Sequence, residues 1–484
     1  MSYFLGIDLG ASSLKASLVD GQARQLASAS APIASVHPQA GQVEQNPADW
    51  LSALCHVLAS LQHTQENSFS QIEAICFSGG AHIAVLQGAD GAVLRPAIMW
   101  SDQRAHEEAS FLQSQNVEAV TRNRPNPTWS LPQLIWLQKH QPEMMQKCHR
   151  ISFAKDWLRS QLTGDWQTDA SEAVGALLTD YHNATQHNEW HDDLLAYAGL
   201  SPQHMPPLAD MLSMAGHVTQ SAAQQTGLKV GTPVYQGAID TTVEWLCCAP
   251  LTAGTASLKL ASAGVLAFGD TSAKPHPPVS LYPHILPDTH YHAAGMNNCM
   301  GALHWVRQLY LSDMDLHEMQ ALAQTAPMGS NGVVFYPYLN GERAPLWDAS
   351  RTASLCGLSR GTTRADIARA AYEGIGHALN EIFQDMTAKI GVRPDRLHLL
   401  GGGAQDTFWG QMLADMMNVE IARGQHTDCS FATALMAMTA DGAFADVTEA
   451  AAAGYQHAAH FTPDKSKTRG YADFHDLFIA QRQQ

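Results

Sequence analysis

A strand, a turn of small residues and a second strand occur twice in this chain, about half its length apart. The first copy spans residues 4–19 and has its turn at Gly10, and the second spans residues 255–267 with its turn around Ser262. Repetition of one supersecondary unit at such a distance indicates a duplicated architecture. We therefore predict an α/β fold in which each of two domains carries one hairpin of this kind.

The length of the chain also supports two domains. It has 484 residues, of which 45% are apolar and 15% are charged. A single hydrophobic core usually stops growing below this length, and the composition supplies enough apolar side chains for substantial cores. We expect two globular domains with a cleft between them.

The charge balance limits the partners of the protein. The chain has 28 Lys and Arg residues against 45 Asp and Glu residues, which gives a formal net charge of −17. Such a charge opposes binding to nucleic acid and to anionic membranes. No apolar run reaches the length that spans a membrane. We expect neither a nucleic-acid partner nor a membrane partner, and whether the chain forms a homodimer stays open at this stage.

The N-terminus and the cysteines bear on location. Met1 leads directly into an apolar strand, without the basic and apolar regions of a signal peptide. The eight cysteines include no C-x-x-C pair, so free thiols in a reducing compartment are expected. We expect a cytoplasmic protein.

The first hairpin contains candidate phosphate-binding groups. Asp8 lies inside an apolar strand, where a carboxylate is costly and usually has a purpose. The turn Gly10–Ser13 offers backbone N–H groups and hydroxyls to phosphate oxygens, Lys15 lies nearby, and Asp8 is suited to hold Mg²⁺ through water. Taken alone, such a turn is more often an ordinary hairpin.

Polar residues follow two further apolar strands. The strand at residues 74–78 ends in Gly79 and Gly80, and His82 comes two residues later, in reach of a polyol hydroxyl. A lone His at a strand end is also typical of a structural residue. Asp240 follows Gly237–Ile239, and its ordinary interpretation is the cap of a helix that continues through Trp245.

The C-terminal half contains a strand, a glycine loop and a helix. Residues 397–400 predict a buried strand, residues 401–404 a tight loop and residues 408–417 an amphipathic helix. The loop suits the close approach of a nucleotide and equally an ordinary strand-to-helix turn. Before this unit, Thr363 and Asp366 form a capping box that predicts a helix ending at Gly391.

Seven segments, in order along nearly the whole chain, resemble the FGGY family of carbohydrate kinases. They are GIDLGASSLK (6–15), SGGAHIA (78–84), MWSDQR (99–104), GAID (237–240), YPYLNGERAPLWD (336–348), LCGLSRGTTRADIARAAYEG (355–374) and LLGGGAQDTFWGQMLAD (399–415). The Gly-Glu-Arg-Ala-Pro segment and the stretch that follows it are the most specific. Their order and spacing make coincidence improbable.

The resemblance implies a fold and an activity. It implies two actin-like (ribonuclease H-like) ATPase domains with an interdomain cleft, a sugar-binding domain at residues 1–248 and a nucleotide-binding domain at residues 249–484. It also implies transfer of a phosphoryl group from ATP, with Mg²⁺, to a hydroxyl of a small sugar. Within the family the chain is most similar to the kinases whose acceptor is D-xylulose and whose product is D-xylulose 5-phosphate.

The resemblance further implies a role for individual residues. Asp240 would be the catalytic base, and Asp8 would organise Mg²⁺. The sugar would be bound by Ala81, His82, Asp240 and Thr241. The phosphates and the nucleotide would be bound by Gly10, Ala11, Ser12, Lys15, Ser262, Gly402, Gly403 and Asp406.

Several positions depart from the family pattern. Ala11 replaces a Thr in the first phosphate turn, Ala261 and Ala263 flank Ser262 where Gly-Thr-Ser is expected, and Gln133 stands where a Lys is common. The nucleotide segment Gly-Ala-Ala is altered to Ala432-Thr433-Ala434, after Phe431. Of the family's Gly-Gln-Met-His-Gly, Gly79 and His82 remain. These changes leave fewer hydroxyls for phosphate and keep the base and metal positions.

Alternatives from the same family and from another class stay open. The first alternative is an acceptor such as ribulose, gluconate, glycerol or another polyol, although His82 stands where glycerol kinases have an Arg-Glu pair. The second alternative is an actin-like nucleotide-binding sensor or chaperone-like ATPase that does not phosphorylate sugar. Sugar-independent ATPase activity would favour the second alternative.

Overall fold

The computed structural model describes residues 2–186, 189–348 and 350–482. The chain divides into two compact units. Unit 1 contains residues 1–251, 280–290 and 428–455, and unit 2 contains residues 252–279, 291–427 and 456–484. The domain boundary predicted between residues 248 and 249 stays a prediction.

The strands follow one another along the chain with these bounds: β1 Tyr3–Leu9, β2 Ser13–Asp20, β3 Gln25–Pro32, β4 Glu44–Gln45, β5 Ile72–Gly79, β6 Ala84–Gln87, β7 Ala97–Ile98, β8 Arg150–Phe153, β9 Thr168–Asp169, β10 Leu208–Ala209, β11 Met214–His217, β12 Pro233–Ile239, β13 Ala256–Leu260, β14 Gly264–Asp270, β15 Ser280–Pro283, β16 His290–Met296, β17 Val334–Tyr336, β18 Ser354–Cys356, β19 Arg396–Leu400, β20 Glu420–Gly424 and β21 His457–Phe461.

The α-helices have these bounds: α1 Pro47–Thr64, α2 Glu66–Phe69, α3 His106–Ser114, α4 Glu118–Thr121, α5 Ser130–His140, α6 Pro142–Met145, α7 Ala154–Thr163, α8 Ala170–Gly175, α9 Tyr181–Gln186, α10 Asp192–Tyr197, α11 Gln220–Thr226, α12 Asp240–Val243, α13 Met300–Tyr310, α14 Leu316–Thr325, α15 Arg364–Ile390, α16 Thr407–Met417, α17 Cys429–Ala440, α18 Val447–Gly454 and α19 Lys465–Arg482. Short 3-10 helices cover Pro202–His204, Glu244–Cys247, Ser330–Gly332 and Gly402–Gln405.

Unit 1 is built on a mixed sheet with the strand order β3-β2-β1-β5-β12-β11. The three central strands β1, β5 and β12 are parallel, and the outer strands on both sides are antiparallel to their neighbours. Central strands of this kind are covered on both faces and therefore read as nearly continuous apolar runs. Trp50 of α1 and Leu158 of α7 are fully buried in the same core as Leu5 and Ile7 of β1.

Unit 2 repeats this pattern of strands. Six neighbouring strands of its main sheet lie in the order β16-β14-β13-β19-β20-β21, in which β13, β19 and β20 are parallel and β14 and β21 are antiparallel to their neighbours. The hairpin β13-β14 thus has the same place in its sheet as β1-β2 has in the sheet of unit 1. This correspondence confirms the duplicated architecture that the two hairpins predicted.

Two further local predictions are confirmed. Helix α15 begins after Thr363, whose backbone N–H donates to the carboxylate of Asp366 over 2.8 Å, and it ends at Gly391 with φ +79°. All eight cysteines lie in the described residues and are free thiols. No helix in the described parts of the chain combines the length and the apolar character that crossing a membrane requires.

Helix α17 joins unit 1 although it lies far along the chain. Gly6 of β1 allows this, because a methyl group at Gly6 would lie 2.1 Å from the carbonyl oxygen of Ser430 and 2.2 Å from the nitrogen of Ala434. The two backbones therefore pack directly on each other. Only glycine permits so close an approach of a helix to the middle of a strand.

Candidate active site

The carboxyl ends of β1, β5 and β12 meet at one edge of the sheet in unit 1. Because these strands are parallel, Leu9 of β1 and Ile239 of β12 both pair with Gly79 of β5. The residues that follow each strand end therefore share this edge. They are the turn 10–12, the loop 80–82 and Asp240. Ligands of open α/β sheets bind at such an edge.

Asp8 lies one residue before the end of β1, with its side chain 8% exposed. The hydroxyl of Ser78 on the neighbouring strand donates to Asp8 Oδ1 over 2.8 Å. Ser78 Oγ lies 2.7 Å from Thr433 Oγ1 on α17. The Asp8 carboxylate is thus connected to α17 when Thr433 donates to Ser78 rather than to the Cys429 carbonyl, which also lies 2.7 Å from Thr433 Oγ1.

The turn after β1 is fixed by backbone contacts. Gly10 N–H donates to the carbonyl of Ser13 over 3.1 Å, and the carbonyl of Ser12 accepts from Ile33 N–H over 2.9 Å. The amide of Gln45 donates to the carbonyl of Ala11 over 2.6 Å. Ser12 itself is exposed. The turn is therefore a preformed loop with its tip directed to solvent.

Lys15 is an ion-pair partner of Asp428. Its Nζ lies 2.6 Å from Asp428 Oδ2, and both side chains are partly exposed. Burial acts to lower the pKa of the Lys15 ammonium, but the charge and hydrogen bond of Asp428 outweigh it, and the pKa is raised. Lys15 is therefore a stable cation beside the Asp8 strand, and its binding to phosphate stays a prediction.

His82 is held in an unusual conformation in the loop after β5. It has φ +51°, and its N–H donates to the carboxylate of Glu172. Its carbonyl accepts from the hydroxyl of Ser130 over 2.8 Å. The imidazole stacks on the indole of Trp129, with ring centres 5.4 Å apart and planes 20° apart. A non-glycine residue at positive φ is strained, and such strain is common at functional sites.

Asp240 is the first residue of α12. Ile239 occupies the N-cap position, so the Asp240 carboxylate is not the helix cap that its sequence context suggested. Asp240 Oδ1 accepts from the N–H of Thr241 over 2.8 Å. A bulge precedes Asp240, because the register of β12 against β5 shifts between Tyr235 and Ala238. Gly237 in this bulge has φ +75°, and a methyl group there would lie 1.7 Å from the Phe77 carbonyl oxygen.

Unit 2 brings its own predicted residues to the matching edge of its sheet. Ser262 is exposed at the turn between β13 and β14, and its carbonyl accepts from Cys299 N–H over 2.8 Å. A methyl group at Gly401 would lie 2.6 Å from the carbonyl oxygen of Leu260, the last residue of β13. The loop after β19 and the Ser262 turn are therefore neighbours. Gly402 in this loop is exposed, with open space where a side chain would begin.

Asp406 has structural partners. It caps α16 by accepting from Trp409 N–H over 2.9 Å, and its Oδ1 accepts from the amide of Gln320 over 2.7 Å. Burial raises the pKa of its carboxyl. Gly403 is buried, and a methyl group there would lie 2.8 Å from Leu260 Cβ. A direct role of Asp406 at a nucleotide stays a prediction.

Two departures from the family pattern acquire a structural explanation. Gln133 is buried, and its amide donates to the carbonyls of Met99 and Thr128 over 3.2 and 3.3 Å. It therefore fixes the backbone of neighbouring segments. Thr433 supplies the hydroxyl beside Ser78 that ends the connection to Asp8.

The sequence did not reveal every residue at this edge. Ser78 is the first residue of the segment 78–84, and its place opposite Asp8 follows from the parallel register of β1 and β5. Trp129 and Glu172 contact His82 from segments that carried no recognised pattern. Only the fold brings such distant positions together.

The residues around Asp8 fit a magnesium ion that is completed by water and phosphate. Within the residues that the structure describes, no three His, Cys, Asp or Glu side chains come together as metal ligands. Mg²⁺ is usually held by about one or two carboxylates together with substrate phosphates and water. Asp8 supplies one carboxylate, oriented by Ser78, at the edge where the phosphate turn begins.

Comparison with known proteins matches most of the chain to one family. Residues 3–247 match the N-terminal domain, and residues 261–440 the C-terminal domain, of the FGGY family of carbohydrate kinases. A xylulose kinase of Staphylococcus epidermidis (strain ATCC 35984) is 30% identical over 98% of this chain and 95% of its own length. A gluconokinase of Bacillus subtilis (strain 168) is 26% identical over 99% of this chain and 95% of its own length.

A solved structure is similar over nearly the whole chain. The crystal structure of a xyloylose kinase from Brucella ovis has a TM-score of 0.88 and 28% identity, and the match covers 99% of this chain and 98% of that one. Together with the two family matches, it confirms the predicted fold of two actin-like (ribonuclease H-like) domains.

Proposed function

The chain belongs to the FGGY family of carbohydrate kinases and is an ATP-dependent sugar kinase, and we propose that its acceptor is D-xylulose, which it converts to D-xylulose 5-phosphate. The observation that carries this proposal is the common sheet edge of His82 and Asp240. Relatives of nearly the same length are named xylulose kinase, which supports the choice of sugar.

Asp240 is the general base in this proposal. A sugar hydroxyl is a poor nucleophile, so a carboxylate that accepts its proton during phosphoryl transfer accelerates the reaction. The Thr241 N–H bond to Asp240 Oδ1 fixes the orientation of the carboxylate at the start of α12. The carboxylate accepts the proton of the terminal hydroxyl as that oxygen forms a bond to the γ-phosphorus, the bond from this phosphorus to the β-phosphate oxygen breaks, and ADP leaves.

His82 and the backbone of Ala81 orient the sugar. The stacking of His82 on Trp129 fixes the plane of the imidazole, and the positive φ of His82 turns the loop after β5. An imidazole whose plane is fixed offers a hydrogen bond of defined direction to a sugar hydroxyl. Thr241 completes the group of residues that bind the sugar.

Asp8 would hold Mg²⁺ in this proposal, together with the phosphates of the nucleotide. When bound, the metal neutralises the charge of the β- and γ-phosphates. Ser78 orients the Asp8 carboxylate. The turn of Gly10, Ala11 and Ser12 would face the phosphate oxygens, with the Gly10 N–H directed to the Ser13 carbonyl. In unit 2 the Ser262 turn and the glycine loop, with Gly402 and Gly403, bind the nucleotide.

Gluconate is the second candidate acceptor. A gluconokinase is among the relatives that match nearly the whole chain, at 26% identity. Gluconate carries a carboxylate where xylulose carries a neutral group. The two candidates therefore differ in charge at one end of the molecule, and a direct comparison of rates separates them.

The test is sugar-dependent release of ADP across a panel of acceptors. The purified protein is assayed with ATP and Mg²⁺ against D-xylulose, D-ribulose, gluconate and glycerol, with a sample without sugar as the control. We expect kcat/KM to be highest for D-xylulose, by at least roughly tenfold over gluconate, because hydrogen-bonded polar groups discriminate strongly between acceptors. A higher value for another acceptor would refute the choice of D-xylulose.

A further inference from the structure

A wholly buried cluster of charged side chains lies beside the ends of β5 and β12. It comprises Lys155, Asp156 and Arg159 of α7 together with Asp169 and Glu172, which lie at the start of α8. The side chains of Lys155, Arg159 and Asp169 are 0% exposed. Burial of so many charges is costly unless they are paired, and hydrophobic residues of similar volume often give equal stability. The proposed reaction uses none of these residues directly.

Both cations of the cluster contact carboxylates. Lys155 Nζ lies 2.7 Å from Asp156 Oδ1 and 2.6 Å from Asp169 Oδ2. Arg159 Nη1 lies 2.6 Å from Asp156 Oδ1, and Arg159 Nη2 lies 2.7 Å from Asp165 Oδ2. Burial acts to lower the pKa of Lys155, but its carboxylate partners outweigh it, and the pKa is raised. The two cations are therefore paired, and Lys155 links α7 to the start of α8.

Two consecutive side chains connect this cluster to both strand ends of the sugar site. Asp169 caps α8 and accepts from the N–H and the hydroxyl of Ser171. Ser171 Oγ in turn accepts the N–H of Ile239, the residue before Asp240, over 3.1 Å. The carboxylate of Glu172 accepts the N–H of His82.

A third connection reaches the bulge before Asp240. Arg159 Nη1 donates to the carbonyl of Gln236 over 2.9 Å, and the amide of Gln236 donates to Asp156 Oδ1 over 3.2 Å. Gln236 immediately precedes Gly237, where the register of β12 against β5 shifts. The cluster thus holds the irregular end of β12 on both sides of the bulge.

We propose that this buried charge cluster positions the two sugar-binding segments, with Ser171 holding the Asp240 segment and Glu172 holding the His82 segment. The inference rests on the proposed roles of Asp240 and His82. Its physical basis is that both acceptors belong to one short helix whose first turn is anchored by Asp169 and Lys155. The separation of the base and the imidazole is therefore set by one rigid element rather than by two independent loops. Catalytic groups must be held within about 0.5 Å of the productive geometry, which favours such an arrangement.

Substitutions of Ser171 and Glu172 give different kinetic results in this account. Ser171→Ala removes the acceptor of the Ile239 N–H next to Asp240. We expect kcat to fall on the order of 10- to 100-fold with a small change in KM for sugar, because the reacting group is displaced.

Glu172→Ala removes the acceptor of the His82 N–H, so we expect KM for sugar to rise about tenfold. Glu172→Gln keeps an acceptor oxygen. This oxygen still accepts the His82 N–H, so we expect nearly normal kinetics.

A matched control comes from Thr226, at the end of α11 in the same unit. Its hydroxyl is also buried and also accepts a backbone N–H, that of Leu228 over 3.4 Å. Thr226→Ala should lower the thermal unfolding temperature as Ser171→Ala does and leave kcat and KM unchanged. If both variants lose activity only in proportion to their stability, the cluster is merely structural and the proposal is wrong.

Hydrogen–deuterium exchange tests the proposal independently of the identity of the sugar. We expect Ser171→Ala to accelerate exchange in peptides covering residues 236–241 and Glu172→Ala to accelerate exchange in peptides covering residues 79–84, at least roughly tenfold in each, because each amide loses its buried acceptor. Thr226→Ala should change neither. Unchanged exchange in both segments would overturn the positioning role, whereas absence of turnover of D-xylulose by the unmodified protein would refute the proposed function alone.

Discussion

Asp240, the proposed base, is oriented by a hydrogen bond and is only partly buried. It follows a bulge that only Gly237 allows, and its carboxylate is held by Thr241 N–H at the first position of α12. The sequence predicted this residue as a candidate base from the resemblance, and its ordinary interpretation as a helix cap was wrong because Ile239 occupies that position. The residue-scale features that the sequence did not predict are contacts between distant segments.

Asp240→Asn tests the base directly. We expect kcat to fall by roughly two to four orders of magnitude, because the amide keeps the shape of the side chain and cannot accept the proton. KM for sugar should change little. The measurement is sugar-dependent ADP release at saturating ATP. Asp90→Asn is the control, because Asp90 is exposed and likewise accepts a nearby N–H, that of Ala92 over 3.0 Å. An unchanged kcat in Asp240→Asn would rule out this role.

Thr433→Ala tests the connection from α17 to Asp8. Loss of the hydroxyl leaves Ser78 without the partner at 2.7 Å, so the orientation of the Asp8 carboxylate is less well defined. We expect the Mg²⁺ concentration for half-maximal rate to rise about two- to tenfold, because the loss of one hydrogen bond changes a binding constant by about this factor. Thr439→Ala on the same helix is the control, because its hydroxyl donates to the carbonyl of Leu435 within the helix, over 3.0 Å. Equal Mg²⁺ dependence in both variants would exclude a role for Thr433.

At the scale of elements, predictions succeeded where the determining interactions are local. The two hairpins and the capping box of α15 depend on residues close in sequence, and the structure confirms them. Helix α17 was interpreted only as an altered nucleotide segment. Its packing on β1 depends on Gly6, which lies more than 400 residues away and gave no sign of such a contact. Helix α8 is six residues long, too short for a periodic pattern to identify it.

Glu342, in the Gly-Glu-Arg-Ala-Pro segment of unit 2, makes stability depend on pH. Its carboxylate accepts from Asn297 N–H over 2.8 Å, and burial raises its pKa from 4.5 to about 7. The folded protein therefore keeps this proton to a higher pH than the unfolded chain does. The free energy of unfolding consequently falls as pH rises from about 4.5 to about 7, by about 3 kcal/mol from this group, and is constant above that.

Glu342→Gln should remove this decline. We expect the difference in free energy of unfolding between the variant and the unmodified protein to grow in favour of the variant as pH rises between about 4.5 and about 7. Chemical denaturation at a series of pH values measures it. Glu318→Gln, at an exposed residue that also accepts a backbone N–H, is the control for the loss of a carboxylate. If the free energy of unfolding of Glu342→Gln changed with pH in parallel with that of the unmodified protein, the role of Glu342 in this decline would be contradicted.

At the scale of the whole molecule, two copies of one strand order and seven motifs in sequence identify a carbohydrate kinase. Two candidate binding edges follow, one in each unit, and each lies where its central parallel strands end. The choice of sugar has a different basis, because it depends on side-chain contacts that differ between relatives of one fold. Relatives named xylulose kinase and gluconokinase both match nearly the whole chain, so only a measured reaction decides between them.

The most direct measurement is phosphorus NMR of the reaction of the purified protein with ATP, Mg²⁺ and D-xylulose, together with ADP release in the absence of sugar. Our account predicts that D-xylulose 5-phosphate and ADP appear in equal amounts, and that ADP release without sugar is slower by at least roughly two orders of magnitude, because water is a poorly positioned acceptor. ADP release at the same rate with and without sugar, and no sugar phosphate, would contradict it.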